Sequence, residues 1–131
     1  DTGHPRLVTV EITWEQCQLI YSRRVRAGRL MDEGKLRGAL RAPFLGFDGR
    51  EAHPTLLDKA AKLISAVATA HAYADGNKRL AWHLGVAFLE LNGLLVVAEQ
   101  EDAANAALRV VTHAWQDADL VEWLIEHTEM I

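Results

Sequence analysis

The chain has 131 residues, half of them hydrophobic, which suffices for one domain with its own core and is too few for two domains of ordinary size. Its 14 lysines and arginines against 18 aspartates and glutamates make it mildly acidic, so the overall charge does not indicate a nucleic-acid partner. The most apolar stretch, residues 80–91, is too short for a membrane-spanning helix, and the first residues lack the apolar segment of a signal peptide.

Cys17 is the single cysteine of the chain, so no internal disulfide can form. It lies in an amphipathic pattern and is expected to be a small core residue. Together these features predict one domain over residues 1–131 in a reducing, cytoplasmic setting, with no membrane and no direct nucleic-acid partner.

Charge is unevenly distributed along the chain. Residues 21–50 carry eight basic and three acidic residues, whereas the chain from residue 99 onward carries eight acidic residues against Arg109 alone. The basic segment is a candidate surface for an acidic ligand or partner. The alternative, equally open from the sequence, is that both runs are solvated helix faces.

The first elements in chain order are an alternating segment and a helix. The alternation of apolar and polar residues at Leu7–Ile12 predicts a short strand or an extended lead-in. Thr13, followed by Gln16, has the pattern of a capping box that begins a helix. Apolar residues at helical spacing then continue toward Gly28, where this first helix is expected to end.

A second helix and an irregular segment follow. Asp32 can cap a short helix that ends near Pro43, because the residue before a proline avoids the helical region. The next stretch, Pro43–His53, has two glycines, two phenylalanines and no helical period. It is predicted to be a loop or a hairpin that presents backbone groups at an edge.

The third helix has the clearest amphipathic pattern of the chain. Thr55 with Asp58 forms a second capping box, and the helix is expected to end near Ala70 to His71. The face opposite its apolar stripe is predicted to be polar and carries Lys59, Lys62 and Thr69.

Three further helices complete the predicted fold. The fourth runs from Asn77 to Asn92, stops at Gly93, and is apolar enough to be central. The last two are predicted over Asp102–His113 and Ala118–Thr128. The expected fold class is therefore all-α, with six helices.

The segment His71–Arg79 places a histidine, a carboxylate, an amide and two cations at the loop that leads into the fourth helix. The backbone N–H groups of Gly76, Asn77 and Lys78 are unpaired at such a helix start, and with the helix dipole they favour an anion. Asn77, Lys78 and Arg79 add side-chain donors, and arginine can hold two phosphate oxygens at once. Phosphate is therefore the predicted ligand.

Two residues of the same segment have the properties that phosphate chemistry needs. Asp75 offers a hard oxygen ligand for Mg²⁺, which binds through one or two carboxylates together with substrate phosphates and water. His71 is the one group in the segment that titrates near neutrality, so it is the natural general base for a hydroxyl nucleophile. Phosphoryl or nucleotidyl transfer requires these parts.

A purely structural interpretation of the segment is the alternative. A histidine at a helix C-terminus often serves packing or the helix dipole, and Asp-Gly-Asn is a common turn. Tyr73 is expected to be a core aromatic residue. The sequence contains no Walker loop, no dinucleotide-binding glycine motif and no HExxH zinc motif.

The segment resembles the signature of the Fic/Doc family, H-x-F-x-D/E-G-N-G-R, in the death-on-curing (Doc) form in which lysine replaces the second glycine. The residues that match this form are His71, Asp75, Gly76, Asn77, Lys78 and Arg79. The likeness extends from about Asp32 to Gly93 and includes the third helix.

The resemblance implies a compact six-helix domain with a flap at Pro43–His53, on which a target peptide docks by strand addition. It implies His71 as catalytic base and Asp75 as the Mg²⁺ ligand. The implied phosphate-binding loop for ATP consists of Gly76, Asn77, Lys78 and Arg79.

The position of Lys78 bears on which group is transferred. In Fic enzymes the second glycine leaves room for the β-phosphate, and AMP is transferred. With Lys78 in its place, the resemblance implies reversed ATP and transfer of the γ-phosphate to a Thr or Ser hydroxyl. The family's target is a threonine of elongation factor Tu, whose modification stops translation, and a Phd-like antitoxin holds the toxin in check.

The sequence departs from the family pattern at three positions. Ala72 stands where proline is common, Tyr73 where phenylalanine is usual, and Trp82 where many Fic enzymes have a further arginine. The last departure argues against AMP transfer, and Doc members also lack that arginine. A Ser/Thr-x-x-x-Glu-Gly/Asn inhibitory motif is absent as well, which favours a separate antitoxin over self-inhibition.

Two runner-up hypotheses stand beside the protein kinase toxin. One is a Fic-type AMP transferase that modifies a protein hydroxyl. The other is a non-catalytic toxin–antitoxin subunit that acts by binding a partner. ATP labelled separately at the α and γ positions discriminates the first, and the variant His71→Ala discriminates the second.

Overall fold

The computed structural model describes residues 8–131, which form six α-helices and two pairs of short antiparallel strands. The helices are α1 (Trp14–Ile20), α2 (Glu33–Arg41), α3 (Leu56–Ala70), α4 (Asn77–Leu91), α5 (Gln100–Val111) and α6 (Asp117–His127). The strands are β1 (Gly46–Phe47), β2 (Arg50–Glu51), β3 (Leu94–Val96) and β4 (Thr128–Met130). This architecture confirms the predicted all-α fold with six helices.

Local side-chain caps fix the starts of α1, α2 and α3 where the sequence predicted them. Capping boxes are present at Thr13 and Thr55, and the Asp32 side chain accepts a hydrogen bond from the backbone N–H of Lys35. Such a cap is worth about 1 kcal/mol, because it satisfies a backbone donor that the helix itself leaves unpaired. Helices α5 and α6 begin within two residues of their predicted starts.

The first helix is shorter than predicted. It ends as an α-helix at Ile20 and continues as a π-helical turn over Tyr21–Val25. Arg26 then takes a left-handed conformation with φ 47°, which stops the turn before Gly28. The apolar period continues through the π-helical turn, so the sequence pattern did not reveal the change.

Helices α3 and α4 lie at the centre of the fold. Helix α3 packs against α2, α4 and α6, and α4 buries Leu80, Leu84 and Phe88. Burial of such side chains stabilises by about 1.5–3 kcal/mol each. The two helices approach closely at Gly85, where a Cβ atom would lie 2.4 Å from the side chain of Ile64. The loop 71–76 joins these two closely packed helices.

The basic segment and the cysteine have the exposure expected from the sequence. All eight basic residues of the segment 21–50 are exposed. Cys17 is fully buried, as expected of a small core residue, and burial raises the pKa of its thiol to about 12. Among the helices of the described chain, none has both the length and the apolarity needed to cross a membrane.

The segment predicted as a loop or a hairpin is a hairpin. β1 pairs with β2 in antiparallel fashion, with Gly46 opposite Glu51. Asp48 and Gly49 at the tip have φ values of 52° and 73°, the left-handed conformation that a tight two-residue hairpin turn needs and that Asp-Gly tolerates. A Cβ atom at Gly46 would lie 2.2 Å from the carbonyl oxygen of Arg50, so glycine is also required there.

The sequence located the strands of the structure only in part. Of the two alternatives for Leu7–Ile12, the lead-in remains, because residues 8–12 form no strand and Leu7 lies outside the described residues. The backbone of Val10 instead forms two hydrogen bonds, of 2.7 and 2.9 Å, with the side-chain amide of Asn92. Strands β3 and β4 were not predicted, because their pairing joins Leu94 to Met130 across two intervening helices.

Lys59 contradicts the predicted polar face of α3, since its side chain is only 3% exposed. Its ammonium group hydrogen-bonds to the carboxylate of Glu51 and to the backbone carbonyl of His53. Both partners belong to the hairpin and the segment that follows it. The helical period alone could not place this lysine, because what buries it comes from another element.

Candidate active site

The six residues singled out from the sequence line a single cleft of about 410 Å³ at the junction of α3 and α4. His71 follows the last residue of α3, and Asn77 is the first residue of α4. The cleft is lined by His71, Asp75, Gly76, Asn77, Lys78 and Arg79, together with Ala68 and Ala74. The tertiary structure therefore brings together every residue of the predicted site.

The start of α4 leaves backbone donors available to a ligand. Unlike α1, α2 and α3, this helix has no side-chain cap. The N–H of Gly76 donates to the carboxylate of Asp75 over 2.7 Å, and the N–H groups of Asn77, Lys78 and Arg79 have no described acceptor. Unpaired N–H groups at the positive end of a helix dipole favour a bound anion.

Gly76 is required at this helix start for two reasons. Its φ of 81° lies in the left-handed region, which other residues adopt only with strain. A Cβ atom at this position would also lie 2.4 Å from Val25 Cγ1 and 3.1 Å from the Cβ of Ala27. The π-helical turn therefore packs directly behind the backbone of the predicted phosphate-binding loop.

The side chain of Asn77 holds the loop closed. Its Oδ1 accepts a hydrogen bond from the N–H of Tyr73, and its Nδ2 donates to the carbonyl of Tyr73, both over 2.9 Å. The sequence predicted this amide as a donor to phosphate. In the structure its oxygen and one of its two Nδ2 hydrogens bond to Tyr73, so the other Nδ2 hydrogen and the backbone N–H of Asn77 have no described acceptor.

The segment before α2 anchors the other side of the loop. The carbonyl of Ala72 accepts hydrogen bonds from the N–H groups of Met31 and Asp32, over 2.8 and 3.0 Å. The N–H of Ala74 donates to the carbonyl of Arg29 over 2.9 Å. These contacts join residues that are 40 or more positions apart in the sequence, so no local pattern indicated them.

Two stacked tyrosines support the loop from the side of the core. The rings of Tyr21 and Tyr73 lie 3.6 Å apart and nearly parallel, and Tyr73 is buried as predicted for a core aromatic residue. Burial, with smaller contributions from Cys17 and Tyr21, raises the pKa of Tyr73 to about 12. The Tyr21 hydroxyl lies 2.9 Å from the carbonyl oxygens of both Gly28 and Asp75 and donates its proton to one of them.

The two groups with the predicted chemical roles are exposed in the cleft. His71 has a left-handed backbone, with φ 50°, which costs roughly 1–2 kcal/mol for a non-glycine residue. Such strain is concentrated at functional sites, where the surrounding structure maintains it. Within residues 8–131, neither the His71 imidazole nor Oδ2 of Asp75 has a hydrogen-bond partner. Both can therefore interact with a ligand.

A second cleft, of about 570 Å³, shares Lys78 and Arg79 with the first and extends between α4 and α5. Trp82 and His83 contribute to its wall. Burial, together with the positive charges of Arg24 and Arg79, holds the pKa of His83 below its ordinary value. His83 was not among the predicted site residues, although its position four residues after Arg79 places both on one helix face.

The acidic and histidine residues of the described chain restrict which metal could bind. No group of three or more His, Cys, Asp or Glu side chains converges within residues 8–131. A single exposed carboxylate beside unpaired backbone N–H groups could hold Mg²⁺, which takes most of its ligands from phosphates and water.

The comparisons with known proteins agree with this geometry. A model of the Fic/DOC family matches residues 9–89, more than half of the chain and a range that includes the whole loop and the start of α4. A curated protein from Mycolicibacterium smegmatis (strain ATCC 700084 / mc(2)155), named Toxin Doc, is 39% identical over 93 residues. The aligned region covers 70% of this chain and 70% of that protein.

Proposed function

Because this chain belongs to the Fic/DOC family, we propose that it is a Doc-like toxin that phosphorylates a protein and thereby blocks translation. The observation that carries the proposal is the single cleft in which an exposed histidine and an exposed carboxylate flank three unpaired N–H groups of a helix start. A base, a metal ligand and an anion site in that arrangement match the needs of phosphoryl transfer.

In the proposed reaction the hydroxyl oxygen of a Ser or Thr acceptor forms a bond to the γ-phosphorus of ATP. The bond from that phosphorus to the β–γ bridging oxygen breaks, and ADP leaves. A ring nitrogen of His71 accepts the hydroxyl proton, a contribution of about 10²–10⁴-fold for a well-placed general base. The backbone N–H groups at the start of α4 and the guanidinium of Arg79 stabilise the charge on the phosphate oxygens.

Asp75 is the proposed ligand of Mg²⁺. Its Oδ1 is held by the N–H of Gly76, which orients the carboxylate, while Oδ2 has no described partner. When bound, Mg²⁺ supplies neutralisation of phosphate charge at this position. The role of Asp75 itself is to hold a fixed negative oxygen beside the anion site.

Lys78 supports transfer of the γ-phosphate over transfer of AMP. It stands where Fic enzymes have the glycine that admits the β-phosphate, and its exposed side chain lines both clefts. A lysine there occupies that space and adds a positive charge. The second cleft, with Trp82 and His83, offers adjacent room for the remainder of a nucleotide.

The proposed acceptor is a translation factor, with elongation factor Tu expected from the family resemblance, and the hairpin β1–β2 is the proposed docking element. A Phd-like antitoxin is the proposed partner, since the relative from Mycolicibacterium smegmatis carries the name of a Doc toxin. The proposed setting is the cytoplasm, where ATP and translation factors are found.

Transfer with ATP labelled separately at the α and γ positions tests the proposal, with elongation factor Tu as acceptor. We expect label on the acceptor from the γ position only, and none with His71→Ala. Label from the α position would establish AMP transfer instead. Failure of the wild type to label any protein of a translation extract, with equal tolerance of wild type and His71→Ala in cells without antitoxin, would establish a non-catalytic subunit.

A further inference from the structure

We propose that Lys59 is a positioning residue that holds the hairpin β1–β2 on helix α3 and thereby sets the affinity for the protein acceptor. The contacts of Lys59 carry the first part of this inference. The second part rests on the proposed function, because it assumes that the acceptor docks on the hairpin. Lys59 lies outside the cleft and has no role in the phosphate chemistry described above.

The Lys59 ammonium has two hydrogen-bond acceptors and a nearby aromatic ring. Nζ lies 2.9 Å from Oε1 of Glu51 in β2, hydrogen-bonds to the carbonyl of His53, and lies 5.9 Å from the centre of the Phe44 ring. The residue is 2% exposed. A buried ammonium is tolerated only when its charge and its donors are satisfied in this way.

The hydrogen-bond acceptors that compensate the charge of Lys59 come from the hairpin and the segment that follows it. Within residues 8–131, Glu51 is the one carboxylate within 4 Å of Nζ, and its own side chain is 57% exposed. If the hairpin moved away from α3, Lys59 would lose its counter-charge and the carbonyl of His53 together. These two interactions, formed where the ammonium is shielded from water, therefore stabilise the hairpin in its place on α3.

The hairpin has little else to hold it. Its two strands have two residues each, and a two-stranded hairpin of that size is at best marginally stable on its own. Phe47 beside the tip is 82% exposed and so does not pack on the body. The ammonium of Lys59 is thus the main attachment of the strand β2 to the helical core.

The attachment of the hairpin is connected to the proposed catalytic residue through helices α3 and α4. Lys59 lies in the first turn of α3, and His71 follows the last residue of the same helix. Phe44, next to the ammonium, packs edge-on against Phe88 of α4, with ring centres 6.1 Å apart. The hairpin is therefore fixed relative to the same pair of helices that carries the cleft.

Amide hydrogen exchange over residues 45–53 tests the attachment independently of any activity. Glu51→Gln removes the counter-charge and leaves the buried ammonium, and Glu33→Gln is the matched control, because Glu33 forms an exposed ion pair with Arg37 on α2 away from the hairpin. We expect exchange in the hairpin to be at least about tenfold faster in Glu51→Gln and unchanged in Glu33→Gln, with exchange in α4 the same in both.

The positioning role is tested by comparing KM for the protein acceptor with KM for ATP. With Glu51→Gln and with Lys59→Met, we expect KM for the protein acceptor to rise about three- to tenfold. KM for ATP and the His71-dependent hydrolysis of ATP by water should stay at their wild-type values. If Lys59→Met does not fold, the exposed substitution Glu51→Gln still provides both measurements.

Two results would overturn the inference. Equal exchange in Glu51→Gln and Glu33→Gln would mean that Lys59 does not hold the hairpin. Faster exchange with an unchanged KM for the acceptor would mean that the attachment is structural only. A wild-type protein without any transfer activity would instead contradict the proposed function, and the exchange measurement would still decide whether Lys59 holds the hairpin.

Discussion

The loop between α3 and α4 and the hairpin β1–β2 are both short connections with left-handed residues, yet they are held in opposite ways. The loop is fixed by many independent contacts, which include the amide of Asn77, the hydroxyl of Tyr21 and three backbone hydrogen bonds to the segment before α2. The hairpin is attached to the core chiefly through the buried ammonium of Lys59. The loop is therefore held by several independent contacts, whereas the hairpin is held chiefly by one residue.

This difference suits the two proposed tasks. Groups that act on a phosphate need to be held within fractions of an ångström, which requires support from several directions. A surface that docks an extended segment of another protein works mainly through backbone groups at a strand edge and tolerates more movement. Substitutions that should affect the loop and the hairpin differently therefore test this difference directly.

The largest expected effect concerns the chemistry of the loop. His71→Ala should lower protein phosphorylation by about 10²–10⁴-fold, because it removes the general base. The free energy of unfolding should change by less than about 0.5 kcal/mol, since alanine meets a similar backbone strain at φ 50°. The same substitution at His53, whose backbone carbonyl rather than its side chain contacts Lys59, is the control and should retain activity. Similar losses in both variants would contradict the assignment.

A pair of glycine substitutions compares the packing of the two connections. Gly76→Ala should lower the free energy of unfolding by about 2–4 kcal/mol, because the left-handed backbone is strained and the new Cβ would meet Val25 at 2.4 Å. Gly49→Ala at the hairpin tip has a similar φ of 73° and open space around it, so it should cost only about 1 kcal/mol. Chemical denaturation measures both. Equal costs would mean that strain alone decides and that the packing behind the loop is unimportant.

The amide clamp of the loop is the next target. Asn77→Ala removes both hydrogen bonds to Tyr73, and we expect a loss of about 1–3 kcal/mol in the free energy of unfolding. Asn105→Ala, on the exposed surface of α5, is the matched control and should be nearly neutral. Phosphate binding, measured by calorimetry, should weaken in Asn77→Ala even where the protein is fully folded, because the N–H groups of α4 lose their fixed direction. Unaltered phosphate binding would argue that the clamp serves stability only.

The smallest effect is a dependence of stability on pH at His83 in α4. The pKa of His83 is lowered by burial, Arg24 and Arg79, so the unfolded chain binds its proton more readily than the folded chain. Stability that is present above about pH 6.5 is therefore lost as the pH falls below that value. Between about pH 7.5 and about pH 5.5, the wild type should lose more stability than His83→Gln. Parallel denaturation curves for the two proteins would contradict this expectation.

Much of the fold followed from local patterns. Capping boxes at Thr13 and Thr55 and the cap at Asp32 act within three residues, so the sequence placed these helix starts correctly. The turn-forming residues of Pro43–His53 indicated a loop or a hairpin for the same reason. The departures arose where distant segments meet, as in the pairing of β3 with β4 and the burial of Lys59.

The sequence by itself determined which chemical groups the candidate site contains. His71, Asp75 and the residues up to Arg79 are neighbours in the chain and lie at a helix start that local rules predict. The tertiary structure alone decided how those groups are held in place. The ring of Tyr21, the π-helical turn behind Gly76 and the carbonyl of Arg29 reach the loop from some 45 or more residues away. Contacts of that kind depend on the packing of whole helices and leave no local signal in the chain.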